Sequence, residues 1–388
     1  MVDELADYPP EHDAGFKGPR AFMTMEEAAQ TEDIGAQPDP EHPDFLRQVE
    51  PRTSARSVSL SDVFWPTDDR EAPDYAFIAD LPEATKFDLT AETLETLFEA
   101  GRYRPHRSDG VIAFALRGAT LVNNDEVEHA LAVPIQTLRP DHRKFRCVLG
   151  FYFTKTKRLH AYTGSTVPCR KAVASYASGG SAANMLPTGL HTFYIWRHRN
   201  LKPALRMGRS GVDPETGAPT TVLRSRNNGE METLDVFDYS TPYDNVHCSY
   251  YLSEDPGLGS SFSSWGCLTV RGLKDPSDQW ERFQNVLIDL GSRTQVDLLL
   301  TTGKEASLAA DGGHTDSLTA LRAGSRGPEV GRLQRQLGMS ETGYLGARTL
   351  DKMTGAERRH NDSFGNGRHA TGIYTPTLDA STGWGVFT

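Results

Sequence analysis

Gly259-Ser260-Ser261-Phe262-Ser263-Ser264-Trp265-Gly266-Cys267-Leu268-Thr269-Val270 decides the reading of this chain, together with Val246-His247-Cys248-Ser249-Tyr250 upstream of it. The histidine precedes the cysteine by 20 residues. The cysteine lies in a Ser-rich, Gly-containing turn that opens onto a β-branched run. A thiolate is a nucleophile and needs a base or cation within hydrogen-bond reach. It also needs backbone N–H groups turned toward the developing oxyanion. Gly266 lets the backbone turn so that the amides around 265–267 converge. By residue type alone Cys267 is an ordinary buried thiol and His247 an ordinary satisfied imidazole. The pair, in this order and spacing, is what points to a thiol enzyme.

Outward from this pair, residues 140–302 are rich in strand signals. Val148-Leu149-Gly150-Phe151-Tyr152-Phe153, Leu159-His160-Ala161-Tyr162, Thr192-Phe193-Tyr194-Ile195-Trp196 and Gln295-Val296-Asp297-Leu298-Leu299-Leu300 are β-branched or aromatic runs bounded by Gly, Pro or charge. One helix, Gln279 to Leu290, interrupts them. Residues 76–139 hold a helix after Asp88-Leu89-Thr90-Ala91, with Leu94, Leu97 and Phe98 on one face and Gly101 as its stop, then the buried strand Val111–Leu116. They read as a small α/β extension of the catalytic domain. Residues 303–317 are small and polar, and read as a linker. A helical unit over 318–388 follows, in which Pro328 opens a helix, Val330, Leu333 and Leu337 share a face, and Gly338 closes it.

Ser264-Trp265-Gly266-Cys267 with His247 upstream resembles the S-x-G-C signature of L,D-transpeptidase catalytic domains. Leu186-Pro187-Thr188-Gly189-Leu190-His191-Thr192-Phe193 resembles that family's P-T-G-x-F strand entry, and Leu159-His160-Ala161-Tyr162-Thr163-Gly164 an early strand-and-turn element. The resemblance covers about residues 140–302 and implies an α+β multidomain chain built around a mainly-β sandwich. It makes Cys267 the nucleophile and His247 its general base. The backbone carbonyl of Cys248 orients the imidazole, and the amides of Gly266 and Cys267 are the oxyanion donors. Ser264 and Trp265 flank the substrate. The family usually has Gly after the His, where this chain has Cys248, and Arg two residues after the Cys, where it has Thr269; Arg271 is then the candidate for a substrate carboxylate.

Leu321-Arg322-Ala323-Gly324-Ser325-Arg326-Gly327-Pro328, Leu333-Gln334-Arg335-Gln336-Leu337, Gly343-Tyr344-Leu345-Gly346-Ala347-Arg348-Thr349 and Gly372-Ile373-Tyr374-Thr375 resemble the three-helix peptidoglycan-binding module. That resemblance implies glycan contacts from Tyr344, Arg348 and Tyr374. Glu357-Arg358-Arg359-His360 stands where the module usually packs an apolar helical stretch, so that helix is expected shortened or repacked.

The 388 residues carry a formal net charge of −11. Residues 1–50 hold 13 acidic and 3 basic residues, leaving 39 acidic against 38 basic in the remainder. A nearly neutral body excludes a phosphate-backbone binder, so no nucleic-acid partner is expected. No run reaches the ~18–20 apolar residues of a membrane span. The N-terminus lacks the charged flank and apolar stretch of a signal peptide. Residues 1–75, rich in Pro and acid, read as an extended arm, with Phe16, Phe22, Phe45 and Phe64-Trp65 as anchors for a partner.

Together these features lead to an expectation of a cysteine acyl-transfer enzyme acting on peptidoglycan stem peptides. It would be carried by a phage-tail-like or contractile injection particle, or freed by lysis, and would need no metal or cofactor. Its alternative is a non-catalytic peptidoglycan-binding component of such a particle. A papain-like pairing of Cys147 or Cys169 with His247 is a further enzyme reading, since there the nucleophile precedes the histidine.

Overall fold

Val111–Arg117 is buried at every position, as a strand covered on both faces must be, and it is the centre of the fold. The computed structural model describes residues 59–68, 71–72, 78, 81–107, 110–123, 126–177, 183–198, 201–208, 220–224, 236–240, 242, 244–275, 278–292, 294–312, 315–363 and 370–387. In chain order the first strands are β1 (Lys86–Thr90), β2 (Val111–Arg117), β3 (Ala119–Leu121), β4 (Val127–Ala130), β5 (Ala132–Thr137), β6 (Cys147–Phe153) and β7 (Arg158–Ser165). Then come β8 (Asn184–Met185), β9 (Gly189–His198), β10 (Leu201–Met207), β11 (Thr220–Arg224), β12 (Val236–Ser240), β13 (Asn245–Cys248), β14 (Leu268–Val270) and β15 (Gln295–Thr302). The helices are α1 (Ala91–Ala100), α2 (Arg170–Ala177), α3 (Asp278–Leu290), α4 (Gly303–Asp311), α5 (Thr315–Leu318), α6 (Pro328–Gln336), α7 (Ala347–Ser363) and α8 (Pro376–Thr382).

The strand order β14-β13-β10-β9-β15-β2-β6-β7 closes on itself because β14 also pairs with β7, and β4 joins at the side of β7. The chain is thus α+β, and its main sheet curls into an eight-stranded barrel-like ring where two facing sheets were expected. Closure occurs at Thr269↔Ser165 and Val270↔Gly164. Gly164 permits it, since a Cβ there would lie 2.1 Å from the Thr269 carbonyl oxygen. One face of the ring packs Ala113, Ala115, Phe193, Leu298 and Leu300 against Trp280 and Phe283 of α3. The opposite face of β2, with Ile112, Phe114 and Leu116, is covered by α1, α4 and the small sheet β1-β5-β3.

Three boundaries differ from the sequence reading. Residues 76–139 are not an appendage, because β2 is a central barrel strand and β4 its edge. Residues 303–317 are not a linker: Thr302 caps α4 by accepting from the Glu305 amide, and Gly303 to Ala306 are buried. Small residues here serve close packing, since a Cβ on Gly303 would lie 2.5 Å from the Gly118 carbonyl oxygen. The α7 helix is not shortened but runs 17 residues through the charged stretch. Glu357 turns inward and accepts from the Thr371 amide at 2.8 Å, the Thr371 hydroxyl at 2.7 Å and the Gly372 amide at 3.3 Å.

Of the expected arm, Phe16, Phe22 and Phe45 lie outside the described residues. Its end does not stand apart: Val63 and Trp65 are buried with Cys169, Val173 and Phe262, and the Arg170 side chain donates to the Val63 carbonyl at 3.2 Å. Phe64 is exposed.

The C-terminal helices have their own core of Leu321, Val330, Leu333, Leu345, Leu350 and Met353, and they are seated on the barrel. Ala323 bridges Gly189, and the Leu190 amide donates to the Ala323 carbonyl at 2.8 Å. Arg322 and Glu305 form a buried ion pair at 2.7 Å, and Arg322 also donates to the Thr188 hydroxyl at 3.0 Å. The Thr188-Gly189 step of the P-T-G motif is therefore part of this seat.

Candidate active site

Two short parallel strands set the geometry. Val246 pairs with Leu268, His247 with Thr269 and Cys248 with Val270, so Cys267 falls opposite Asn245. Side chains alternate along each strand, and Val246, Cys248, Leu268 and Val270 enter the barrel core. Asn245, His247, Cys267 and Thr269 share the other face. The Asn245 Nδ2 donates toward Cys267 Sγ at 3.7 Å, which shows the two side chains meeting there. His247 lies one strand over and two residues along from Cys267, a Cα separation of about 8 Å from ideal strand spacings.

The imidazole is held from three sides. Its Nδ1 lies 2.6 Å from the Cys248 carbonyl oxygen; a carbonyl only accepts, so Nδ1 carries the proton and Nε2 presents its lone pair. His198, from the end of β9, stacks on it with ring centroids 4.4 Å apart and planes 6° apart. Tyr250 packs at 5.3 Å from a backbone with φ +67°, a left-handed conformation that a bulky residue adopts only when its surroundings impose it.

The turn before Cys267 is equally tied down. Ser264 Oγ donates to the Cys267 carbonyl at 2.6 Å and accepts from the Gly266 amide at 3.1 Å. The sequence reading made that amide an oxyanion donor, but it points at the Ser264 hydroxyl instead. Ser264 itself is buried, so it shapes the turn rather than flanking a substrate. The Asn184 amide donates to the Trp265 carbonyl at 2.9 Å, and its side chain donates to both Asp244 carboxylate oxygens at 2.9 Å. A Cβ on Gly266 would sit 2.2 Å from Asn184 Nδ2; glycine is required there for close approach. Trp265 is half-buried against the core that contains Val63 and Trp65.

The four thiols differ. Cys147 and Cys248 lie in the barrel core, where burial pushes each thiol up to about 12. Cys169 is packed under the N-terminal segment and is raised by the same cause. These are inert environments, which removes the grounds for a papain-like pairing. Cys267 is 4% exposed, and its Sγ meets the Asn245 Nδ2. His247 is 2% exposed.

The remaining candidates scatter. Arg271 lies past the end of β14 and is ion-paired with Asp278 at 3.2 Å. Thr269, at the position of the family's Arg, is buried on the thiol's face with its hydroxyl lacking a hydrogen-bond partner among the described residues. Tyr344 is exposed, with the Arg326 guanidinium 4.1 Å over its ring, and Arg348 is exposed on α7. Tyr374 is not a surface residue: it is 1% exposed, donates to Asp379 at 2.9 Å and stacks on Trp384 and Phe387. Among the described residues no group of three His, Cys, Asp or Glu is placed to hold a metal ion.

Asn245, His198, Asn184 and Tyr250 were missed from the sequence. Asn245 was within reach of it, being two residues before His247 on one strand face. His198 was not, because its approach depends on the strand order that sets β9 and β13 on either side of β10. Family models, curated proteins and solved structures were all compared with this chain, and none matches.

Proposed function

We propose that the chain is a cysteine-dependent acyl-transfer enzyme of the L,D-transpeptidase type, acting on peptidoglycan stem peptides. The observation that supports it best is the Nδ1–carbonyl bond of His247, on the same face of the β13–β14 pair as the Cys267 thiol. His247 Nε2 takes the thiol proton, Cys267 Sγ attacks a stem-peptide carbonyl, and the terminal residue leaves. An amine or water then resolves the thioester. The helical unit over 318–388 supplies affinity for the same polymer, and residues 1–75 dock the chain on a particle that delivers it. The test is digestion of purified wall sacculi with the protein and with Cys267→Ala. New or cross-linked muropeptides are expected only from the former.

A second reading keeps wall affinity without turnover. It is favoured by the burial of both Cys267 and His247 and by Thr269 in place of the family's Arg. Identical muropeptide profiles from the two proteins, with sacculus binding retained, would establish it.

A further inference from the structure

We infer that the side-chain amide of Asn245 is the oxyanion donor of this site, an assignment that rests on the acyl-transfer reading above. The Gly266 N–H, one of the two backbone amides (with that of Cys267) to which the family resemblance gives that task, is turned onto Ser264 Oγ at 3.1 Å. Asn245 Nδ2 instead stands 3.7 Å from Cys267 Sγ with its N–H directed at the sulfur. In a tetrahedral adduct the oxygen lies two bonds from that sulfur. The transition state needs a donor about 2.7–3.1 Å from the oxygen, and a group 3.7 Å from Sγ is near enough for an oxygen two bonds from that sulfur to come within its reach.

That backbone is fixed on both sides. Asn245 pairs with Arg206 of β10, and its neighbour Val246 pairs with Leu268 of β14. The residue is buried, so water competes little for the amide and charge building up on the oxygen is stabilised strongly. Strand register, not loop conformation, thus places the donor beside the nucleophile.

The step balances as follows. His247 Nε2 takes the proton from Cys267; Sγ forms a bond to the carbonyl carbon, and the carbonyl π pair moves onto oxygen, where Asn245 Nδ2–H donates. The adduct collapses, the C=O re-forms, the C–N bond breaks, and the leaving amine takes its proton from His247. Water or an acceptor amine runs the same sequence in reverse on the thioester. In the resting protein the same N–H favours the thiolate.

The test compares the full chain with Asn245→Ala, Asn245→Asp and Cys267→Ala on wall sacculi, together with the pH profile of Cys267 alkylation by iodoacetamide, read by peptide mass. Asn245→Ala is expected to lower kcat by about 10²–10³-fold with KM little changed. Asn245→Asp, equal in shape but without the donor, is expected to be no better. In both, alkylation of Cys267 is expected to shift to higher pH while thermal unfolding stays near that of the unaltered chain. A kcat for Asn245→Ala close to that of the unaltered chain overturns the assignment. Should the unaltered chain match Cys267→Ala on sacculi, the acyl-transfer reading fails by itself; an alkylation profile indifferent to Asn245 then overturns this assignment separately.

Discussion

The rings of His198 and His247 lie face to face, 4.4 Å between centroids and 6° from parallel, although 49 residues of chain separate them. The stack forms because β9 and β13 flank β10, and the two side chains lean toward each other across that strand. With Nδ1 tied to the Cys248 carbonyl at 2.6 Å, the imidazole can neither tilt nor flip without losing a contact.

His198→Ala is therefore expected to slow acylation of Cys267 about 2- to 10-fold, the worth of one aromatic contact, through loss of ring orientation. His198→Phe keeps a flat face and is expected to retain most of the rate. Single-turnover thioester formation followed by intact mass measures both. Equal losses from Ala and Phe would mean that stacking is not what His198 supplies.

Gly266→Ala is expected to destabilise the chain by about 1–3 kcal/mol, the usual cost of overpacking, and to abolish sacculus cleavage. Its new methyl group would press on Asn184 at 2.2 Å and break that side chain's grip on Asp244. Combining it with Asn184→Ala should cost less than the two separately, since the clash is then gone. Denaturant melts of the four proteins decide the point; strict additivity would show that Asn184 is not the obstacle.

How much of this was legible in the sequence depended on range. The strand runs at 148–153, 159–162, 192–196 and 295–300 and the helices from 279 and 328 were readable because apolar spacing is a local signal. So was the turn that carries Cys267. Ring closure was not, because it rests on one strand, β7, pairing on both sides, and nothing in Thr163-Gly164-Ser165 announces a second partner. The linker expected at 303–317 failed for a related reason: small residues that look permissive in sequence were there to let α4 lie against Gly118 and Ala119. Tyr374 and Tyr344 share a motif position in sequence, yet one is core and the other is surface.

Arg322→Met is expected to cost about 3–5 kcal/mol, since it leaves the Glu305 carboxylate buried without its cation. Both side chains of the pair are under 5% exposed and 2.7 Å apart. Glu305 also takes hydrogen bonds from Thr301 and Thr302, so the damage should spread into α4. Limited proteolysis is the direct measurement: cleavage between α4 and α6 should appear in Arg322→Met and not in the unaltered chain. Resistance in both would mean that the remaining contacts, such as Leu190 N–H to the Ala323 carbonyl and the Ser325 hydroxyl to the Gly101 carbonyl, hold the seat without the ion pair.

Glu357 gives the chain a stability term that falls with rising pH. Burial pushes its carboxyl from the ordinary 4.5 up to about 7, against the opposing effect of the Thr371 and Gly372 donors. Between those two values the folded chain holds a proton that the unfolded chain has released. Stability from this group is therefore complete below about 4.5, declines as pH rises, and is lost above about 7. The full swing is at most about 3 kcal/mol at 1.36 kcal/mol per unit. His142 and His191, both lowered to about 4 by burial, act in the opposite sense over the acid part of that range, so the unaltered chain alone does not isolate the effect. The difference between the unaltered chain and Glu357→Gln does, because the histidines are common to both. The melting temperature of the unaltered chain minus that of Glu357→Gln should fall from pH 5 to about pH 7 and then level off, and a difference that stays level throughout would remove Glu357 as its source.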